Sequence, residues 1–246
     1  MKPLSVTRFK QDPHECAVAA ATSIANFHNP SINYIEAQEI VQKYVVKDTS
    51  DGLYTGHIGL LLNKLGFRNV RIVFCDLSIV DYTWDGFSPA QKLSAINRML
   101  KSKLIADDVR GNLVAFRDFL KAKYNNDIVI DFRLAKYITN ALDKNLPVII
   151  SYNWTLLWEQ PKKTEDGVKD FIKGDYENHA VCVRGYDDSG VYIVDSQWQY
   201  YIGKLKDYAS GYYFVPWKDL LTVMGTGEVI IASNYNHELV QKCTNQ

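Results

Sequence analysis

The chain has 246 residues, 47% of them hydrophobic and 13% aromatic, which is enough apolar material for one large folded domain with a substantial core. Its 28 basic and 28 acidic residues balance, which argues against a nucleic-acid channel or a membrane surface held by charge, so we expect neither partner. Residues 1–10 lack the apolar core of a secretory signal, and no run reaches transmembrane length. The sequence therefore predicts a cytoplasmic protein, with signal-independent export left open.

The first predicted helix begins at Cys16. A polar, proline-containing approach from Gln11 changes there into an alanine-rich stretch of high helix propensity. A cysteine in the first turn meets unpaired backbone N–H groups and the positive end of the helix dipole, and both stabilise a thiolate. Such surroundings lower a cysteine pKa from ~8.5 into the range ~3.5 to 7.5. The position favours a reactive thiol, and a buried structural cysteine is the alternative.

The middle of the chain is predicted to be mainly helical. Apolar spacing indicates two helices and then a strand, at Tyr34 to Val45, His57 to Leu65 and Val70 to Phe74. Ser88 followed by proline is typical of a helix start, and a second helical pattern runs from Leu113 to Leu120. We interpret residues 76–126 as a helical insertion beside a cleft, within a single domain over residues 1–246.

The second half of the chain is predicted to be mainly strands. Period-2 patterns indicate five of them, at Val148 to Tyr152, His179 to Tyr186, Val191 to Asp195, Tyr212 to Val215 and Glu228 to Ser233. A short helix is expected from Pro216 to Leu221, between the last two strands. Helices followed by antiparallel strands predict an α+β fold.

His179 and Asp195 lie on the two strands of a predicted hairpin, whose turn contains Gly190. Alternation places His179, Val181 and Val183 on one face. A three-residue loop would set Asp195 opposite Val183, roughly 13 Å along the sheet from His179. For the two side chains to meet, the hairpin needs a β-bulge or a shifted register.

Gln11, Cys16, His179 and Asp195 follow one another in an order that resembles the C39-like branch of the papain-like cysteine peptidases. The resemblance covers most of the chain and includes the strand after Pro147. It implies a papain-like fold in which the N-terminal helical half, with the cysteine helix, packs on a C-terminal antiparallel β-sheet half. It also implies a peptide or protein substrate and no cofactor.

The family resemblance assigns a role to each of the four residues. Cys16 is the nucleophile, and His179 is first the general base and then the general acid. Asp195 orients the imidazole, and Gln11 forms the oxyanion hole with the backbone N–H of Cys16. These roles agree with the chemistry of thiol attack. The thiol needs a nearby base, the base needs a group that holds it in the correct orientation, and the oxyanion needs fixed hydrogen-bond donors.

Three alternatives remain open. A thiol acyltransferase or transpeptidase would use the same residues with another acceptor. An inactive peptidase-like binding module is a second alternative, because Ala17 follows Cys16 where the family usually has glycine. A zinc site of His14, Cys16, His179 and Cys182 is the third. It is disfavoured because residues three apart on a strand point to opposite faces.

Overall fold

The computed structural model describes residues 2–50, 52–164, 166–197, 210–225 and 227–236. Eight helices occur in these ranges: α1 Cys16–His28, α2 Tyr34–Tyr44, α3 Thr55–Lys64, α4 Pro89–Leu100, α5 Asp107–Lys121, α6 Leu134–Leu142, α7 Trp154–Leu157 and α8 Trp217–Met224. Seven strands accompany them: β1 Phe67–Phe74, β2 Asn125–Ile130, β3 Val148–Asn153, β4 Asn178–Tyr186, β5 Gly190–Val194, β6 Tyr212–Pro216 and β7 Glu228–Tyr235. The predicted α+β class is confirmed, and every helix and strand predicted from the sequence is present. The strand β2 and the helices α6 and α7 were not predicted.

All seven strands form one sheet in the order β2-β1-β7-β3-β4-β5-β6. The strands β1 and β2 pair in parallel, and every other neighbouring pair is antiparallel. The sheet is therefore mixed and takes strands from both halves of the chain, whereas the sequence predicted an antiparallel sheet in the C-terminal half. The difference arises because Ile128 and Ile130 of β2 pair with Ile72 and Phe74 of β1 and extend the sheet at that edge.

Helices cover both faces of the sheet and form two cores. On the first face, α1 lies against β4 and α3 lies against β1, while α5 packs on α3 and α4 packs on α5. On the second face, α6 and α8 pack against the sheet around Val148, Val181 and Val229. The alanine side chains of α1, such as Ala21 and Ala25, are fully buried. Their small size lets the helix approach β4 closely and brings its first residue to the sheet.

The start of α1 is fixed to α2 by Glu15. The Glu15 carboxylate is buried and accepts hydrogen bonds from the hydroxyl of Tyr34 at 2.5 Å and from the amide of Gln38 at 2.6 Å. His14 immediately before it has a left-handed backbone, with φ of 63°. This turn determines where the helix begins and holds Cys16 at its first position.

The hairpin of β4 and β5 contains the β-bulge that the sequence analysis required. Pairing starts at Tyr186 with Val191 and shifts by one residue between Val183 and Gly185. Continued along the strands, this register places Asp195 opposite Val181 rather than Val183. The bulge thus brings the Asp195 carboxylate to the same face as His179 and one diagonal step from it.

Among the described residues, no helix combines the length and the apolar character needed to cross a bilayer. The cysteines in this part of the chain, Cys16, Cys75 and Cys182, are free thiols. Cys243 lies outside the described residues.

Candidate active site

A cleft of about 590 Å³ opens where the start of α1 meets the ends of β3 and β4. Cys16 and His179 line it together with Ala180. The thiol belongs to a helix of the first core, and the imidazole belongs to the sheet. The close approach of α1 to β4 is therefore what brings the two groups together.

The Cys16 thiol is surrounded by donors. Its Sγ accepts the backbone N–H of Ala180 at 3.5 Å, and the side chain hydrogen-bonds the ring of His179. Burial alone raises the pKa of Cys16, but the hydrogen bond and charge of His179 lower it, as do the N–H groups of Ala180 and Ala17. The net pKa lies below the ordinary value of 9.0, so the site stabilises the thiolate.

The His179 ring is held between the thiol and a carboxylate. Its Nε2 lies 2.7 Å from Oδ1 of Asp195, which leaves Nδ1 for Cys16. The side chain is 4% exposed, and the ring of Tyr152 packs edge-on against it at 6.0 Å. Burial lowers the pKa of His179, but the charge and hydrogen bond of Asp195, followed by Cys16, raise it to about 10. The imidazolium is therefore the stable form at neutral pH.

Asp195 is fully buried, and every contact it makes favours the charged form. The Tyr213 hydroxyl donates to Oδ2 at 2.7 Å, and the backbone N–H of Gln197 donates to Oδ1 at 2.8 Å. Tyr213 in turn hydrogen-bonds the hydroxyl of Tyr152 at 2.9 Å. Burial raises the pKa of Asp195, yet the charge of His179 and these hydrogen bonds keep it below the ordinary value.

Tyr213 is a functional candidate that the sequence analysis missed. It lies on β6, where it pairs with Ile193 of β5 and contributes to the second core. An aromatic residue in a predicted strand is the ordinary pattern of a core position. No local signal distinguishes a tyrosine whose hydroxyl reaches a buried carboxylate on the next strand.

Gln11 is held beside the site by Ser196. The Ser196 hydroxyl donates to Oε1 of Gln11 at 2.6 Å, and the Gln11 backbone N–H donates to the Ser196 carbonyl at 3.3 Å. Because the amide oxygen is engaged, the amide N–H groups point away from Ser196. Of the sequence-predicted residues, His179 contacts both Cys16 and Asp195, while Gln11 is linked to the residue that follows Asp195.

Arg8 holds the backbone around Asp195. Its guanidinium donates to the carbonyl oxygens of Asp195 at 2.6 Å, Gln197 at 2.8 Å and Ser210 at 3.0 Å. These carbonyls stand on either side of residues 198–209, which lie outside the described ranges. One side chain from the start of the chain therefore binds the described backbone on both sides of residues 198–209.

Within the described ranges, no group of three or more histidine, cysteine or acidic side chains is arranged to hold a metal ion. Cys182, one of the nominal zinc ligands, is buried in the first core, and burial raises the pKa of its thiol. His179 points to the other face of β4 and contacts Asp195.

Two solved structures are similar to this chain. A presumed C39-like peptidase from Bacillus anthracis is 13% identical, with a TM-score of 0.42 over 94% of this chain and 96% of its own. Xylellain, a cysteine protease from Xylella fastidiosa, is also 13% identical, with a TM-score of 0.47 over 94% of this chain and 84% of its own. No protein-family model matches the chain, and no curated protein matches it.

Proposed function

We propose that this protein is a cysteine peptidase that cleaves an amide bond through a thioester on Cys16. The observation that supports this most directly is the continuous chain of hydrogen bonds from Cys16 through His179 to Asp195 at the wall of a cleft. A thiol, a base and a group that orients the base are the parts that nucleophilic amide cleavage needs. The balanced charge of the chain favours a peptide or protein substrate over a nucleic acid.

The reaction begins from a thiolate and an imidazolium. Cys16 attacks the scissile carbonyl carbon and forms a C–S bond, while the carbonyl π electrons move to the oxygen. The C–N bond then breaks as His179 gives its proton to the departing amine. The neutral imidazole takes a proton from water, and the hydroxide attacks the thioester carbon. The C–S bond then breaks, the acid leaves, and Cys16 is released as the thiolate while His179 keeps the proton, which restores the starting ion pair. Asp195 stabilises the imidazolium at both stages.

The developing oxyanion has two candidate donors. The backbone N–H of Cys16 is one, because the first N–H groups of α1 have no acceptor within the helix. The amide N–H of Gln11 is the other, and the bond from Ser196 to Oε1 supports this role because it leaves the donor side of the amide available. Fixed donors of this kind contribute about 10²- to 10³-fold to the rate.

The proposal is tested by the pH dependence of thiol alkylation. Wild type, Cys16→Ser and His179→Ala are treated with iodoacetamide and followed by intact mass. We expect one fast modification, still rapid at about pH 6, that is lost in Cys16→Ser and slowed in His179→Ala. Cys75 and Cys182 are internal controls, because burial raises the pKa of both thiols.

Slow labelling of Cys16 with the profile of an ordinary thiol would overturn the proposal and favour the binding-module alternative. If the thiolate is activated, incubation with acyl donors in the presence of an added amine separates hydrolysis from acyl transfer. The acid is the expected product. An amide as the main product would identify an acyltransferase instead.

A further inference from the structure

The cleft continues from Cys16 across the sheet to Glu228. Ala180 pairs with Ser151, and Glu228 pairs with Phe74 on the far side, so these four residues lie in one row on one face of the sheet. The Ser151 hydroxyl donates to Oε1 of Glu228 at 2.6 Å and joins the two halves of the row. Glu228 is two strand spacings, about 10 Å, from Ala180, whose N–H contacts the Cys16 thiol.

The Glu228 carboxylate is buried, and no lysine or arginine of the described residues forms an ion pair with it. It is 9% exposed, and its partners are the neutral hydroxyls of Ser151 and Thr55. The described residues that line the cleft include no lysine or arginine, but they do include a second carboxylate, Asp76. A buried charge without an opposite charge is costly. Burial and the nearby Asp76 raise the pKa of Glu228 accordingly.

Apolar side chains lie beside the path to Glu228. Ile58 follows Thr55 by three residues on the same face of α3, and Ile79 also lines the cleft. Phe74 lies beside Glu228 on the neighbouring strand, and Tyr54 lines the cleft as well. A cleft that offers apolar side chains beside a buried carboxylate complements a side chain with a long aliphatic stem and a cationic head.

We propose that this end of the cleft binds the lysine or arginine side chain of the substrate residue that supplies the scissile carbonyl. Two strand spacings match the length of such a side chain in its extended form. The stem packs against Ile58 and Phe74, and the cation pairs with Glu228 and the more exposed Asp76. The inference rests on the proposed peptidase function and adds a preference for peptides with a basic residue before the cleaved bond.

The test uses two reagents that differ by one charge. The reagents are the chloromethyl ketones of Nα-acetyl-lysine and Nα-acetyl-norleucine. They place side chains of similar length, one cationic and one apolar, next to the carbonyl group that Cys16 attacks. We expect the lysine reagent to alkylate wild type at least about tenfold faster, the factor that a charged hydrogen bond provides. Glu228→Gln, whose amide oxygen can still accept the hydrogen bond from Ser151, should bring the ratio of the two alkylation rates close to one.

Glu177→Gln is the matched control, because Glu177 is exposed and does not line the cleft. This variant should keep the wild-type ratio of the alkylation rates with the lysine and norleucine reagents. A ratio near one in wild type, or a ratio unchanged in Glu228→Gln, overturns the pocket. If Glu228→Gln does not fold, Asp76→Asn provides the test, with an expected fall in the ratio of about twofold or more, and an unchanged ratio overturns the pocket.

Iodoacetamide carries no side chain and separates this inference from the proposed function. Fast labelling of Cys16 by iodoacetamide with no preference for the lysine reagent would refute the pocket and leave the peptidase proposal in place. Slow labelling of Cys16 by iodoacetamide at pH 6 would refute the peptidase proposal whatever the ratio. That result would also refute the pocket as a binding site for a substrate side chain.

Discussion

Replacing Asp195 by asparagine tests how the site makes a thiolate. The change removes one charge and almost no volume. The buried network can stay satisfied, since the amide oxygen can still accept from His179 and Gln197, and the Tyr213 hydroxyl can accept from the amide nitrogen. The expected effect is therefore electrostatic rather than structural.

The size of the effect follows from the charge that Asp195 supplies. Asp195 is the main group that raises the pKa of His179 from 6.5 to about 10, against the opposing effect of burial. A hydrogen bond to a charged group contributes about 1.5–3 kcal/mol. Its loss corresponds to a decrease of about one to two units in the pKa of His179. A decrease of this size still leaves the imidazolium protonated at pH 6, so the Cys16 thiolate should persist there. The effect should appear at alkaline pH, where His179 should lose its proton about one to two units earlier than in wild type.

The assay compares iodoacetamide labelling of wild type and Asp195→Asn from pH 5 to pH 10. The two proteins should be labelled at similar rates at pH 6, and the change in rate that accompanies proton loss from His179 should occur about one to two pH units lower in the variant. Tyr213→Phe is the control, since it removes a hydrogen bond to the carboxylate but leaves the charge, and its change in rate should shift less. A change in rate at the same pH in wild type and Asp195→Asn would refute the reasoning.

Two further substitutions test the oxyanion hole and the packing of the helical layer. Ser196→Ala removes the hydroxyl that fixes Gln11, so we expect hydrolysis of an activated ester to fall by about tenfold, while alkylation of Cys16 stays unchanged. A parallel loss of alkylation would show that Ser196 supports the thiol instead. Gly56→Ala places a Cβ 2.3 Å from the backbone of Ala115, so the free energy of unfolding in urea should fall by about 1–3 kcal/mol. An unchanged urea midpoint would contradict this close contact between α3 and α5.

Cys16, His179 and Asp195 could be singled out as candidates from the sequence because each lies in, or directly after, an element with a clear local pattern. The alanine-rich run marks α1, and alternation marks the two strands of the hairpin. The bulge was required but not located, although Gly185 inside β4 carried the signal. A glycine within a strand often marks a bulge or a close backbone approach. Here a Cβ at Gly185 would lie 2.8 Å from Pro3.

The strand β2 could not be predicted, because its first residues disfavour strands. Asn126 is buried and exchanges hydrogen bonds with the side chain of Asn63, and it also donates to the carbonyl of Phe119. These tertiary contacts outweigh the local preference. The helix α6 was missed for a different reason. Leu134, Ile138 and the apolar residues that follow have helical spacing, so its signal was present and was overlooked.

The neighbours of Glu228 could not be predicted from the sequence, because they depend on the order of the strands in the sheet. The pattern predicted a strand that starts at this residue, but not that β7 lies between β1 and β3. Only that order places Glu228 beside Phe74 and Ser151, at the far end of the cleft. Side-chain periodicity describes one strand at a time and contains no information on distant neighbours.

The three hydrogen bonds of Arg8 tie the position of Asp195 to the start of the chain. Since the carbonyls of Asp195, Gln197 and Ser210 are all bound to the same guanidinium, the described backbone on both sides of residues 198–209 shares one anchor. A substitution within 198–209 would leave these three hydrogen bonds, which involve none of those residues, in place. Arg8, 187 residues before Asp195 in the chain, is the side chain whose loss would release both sides at once.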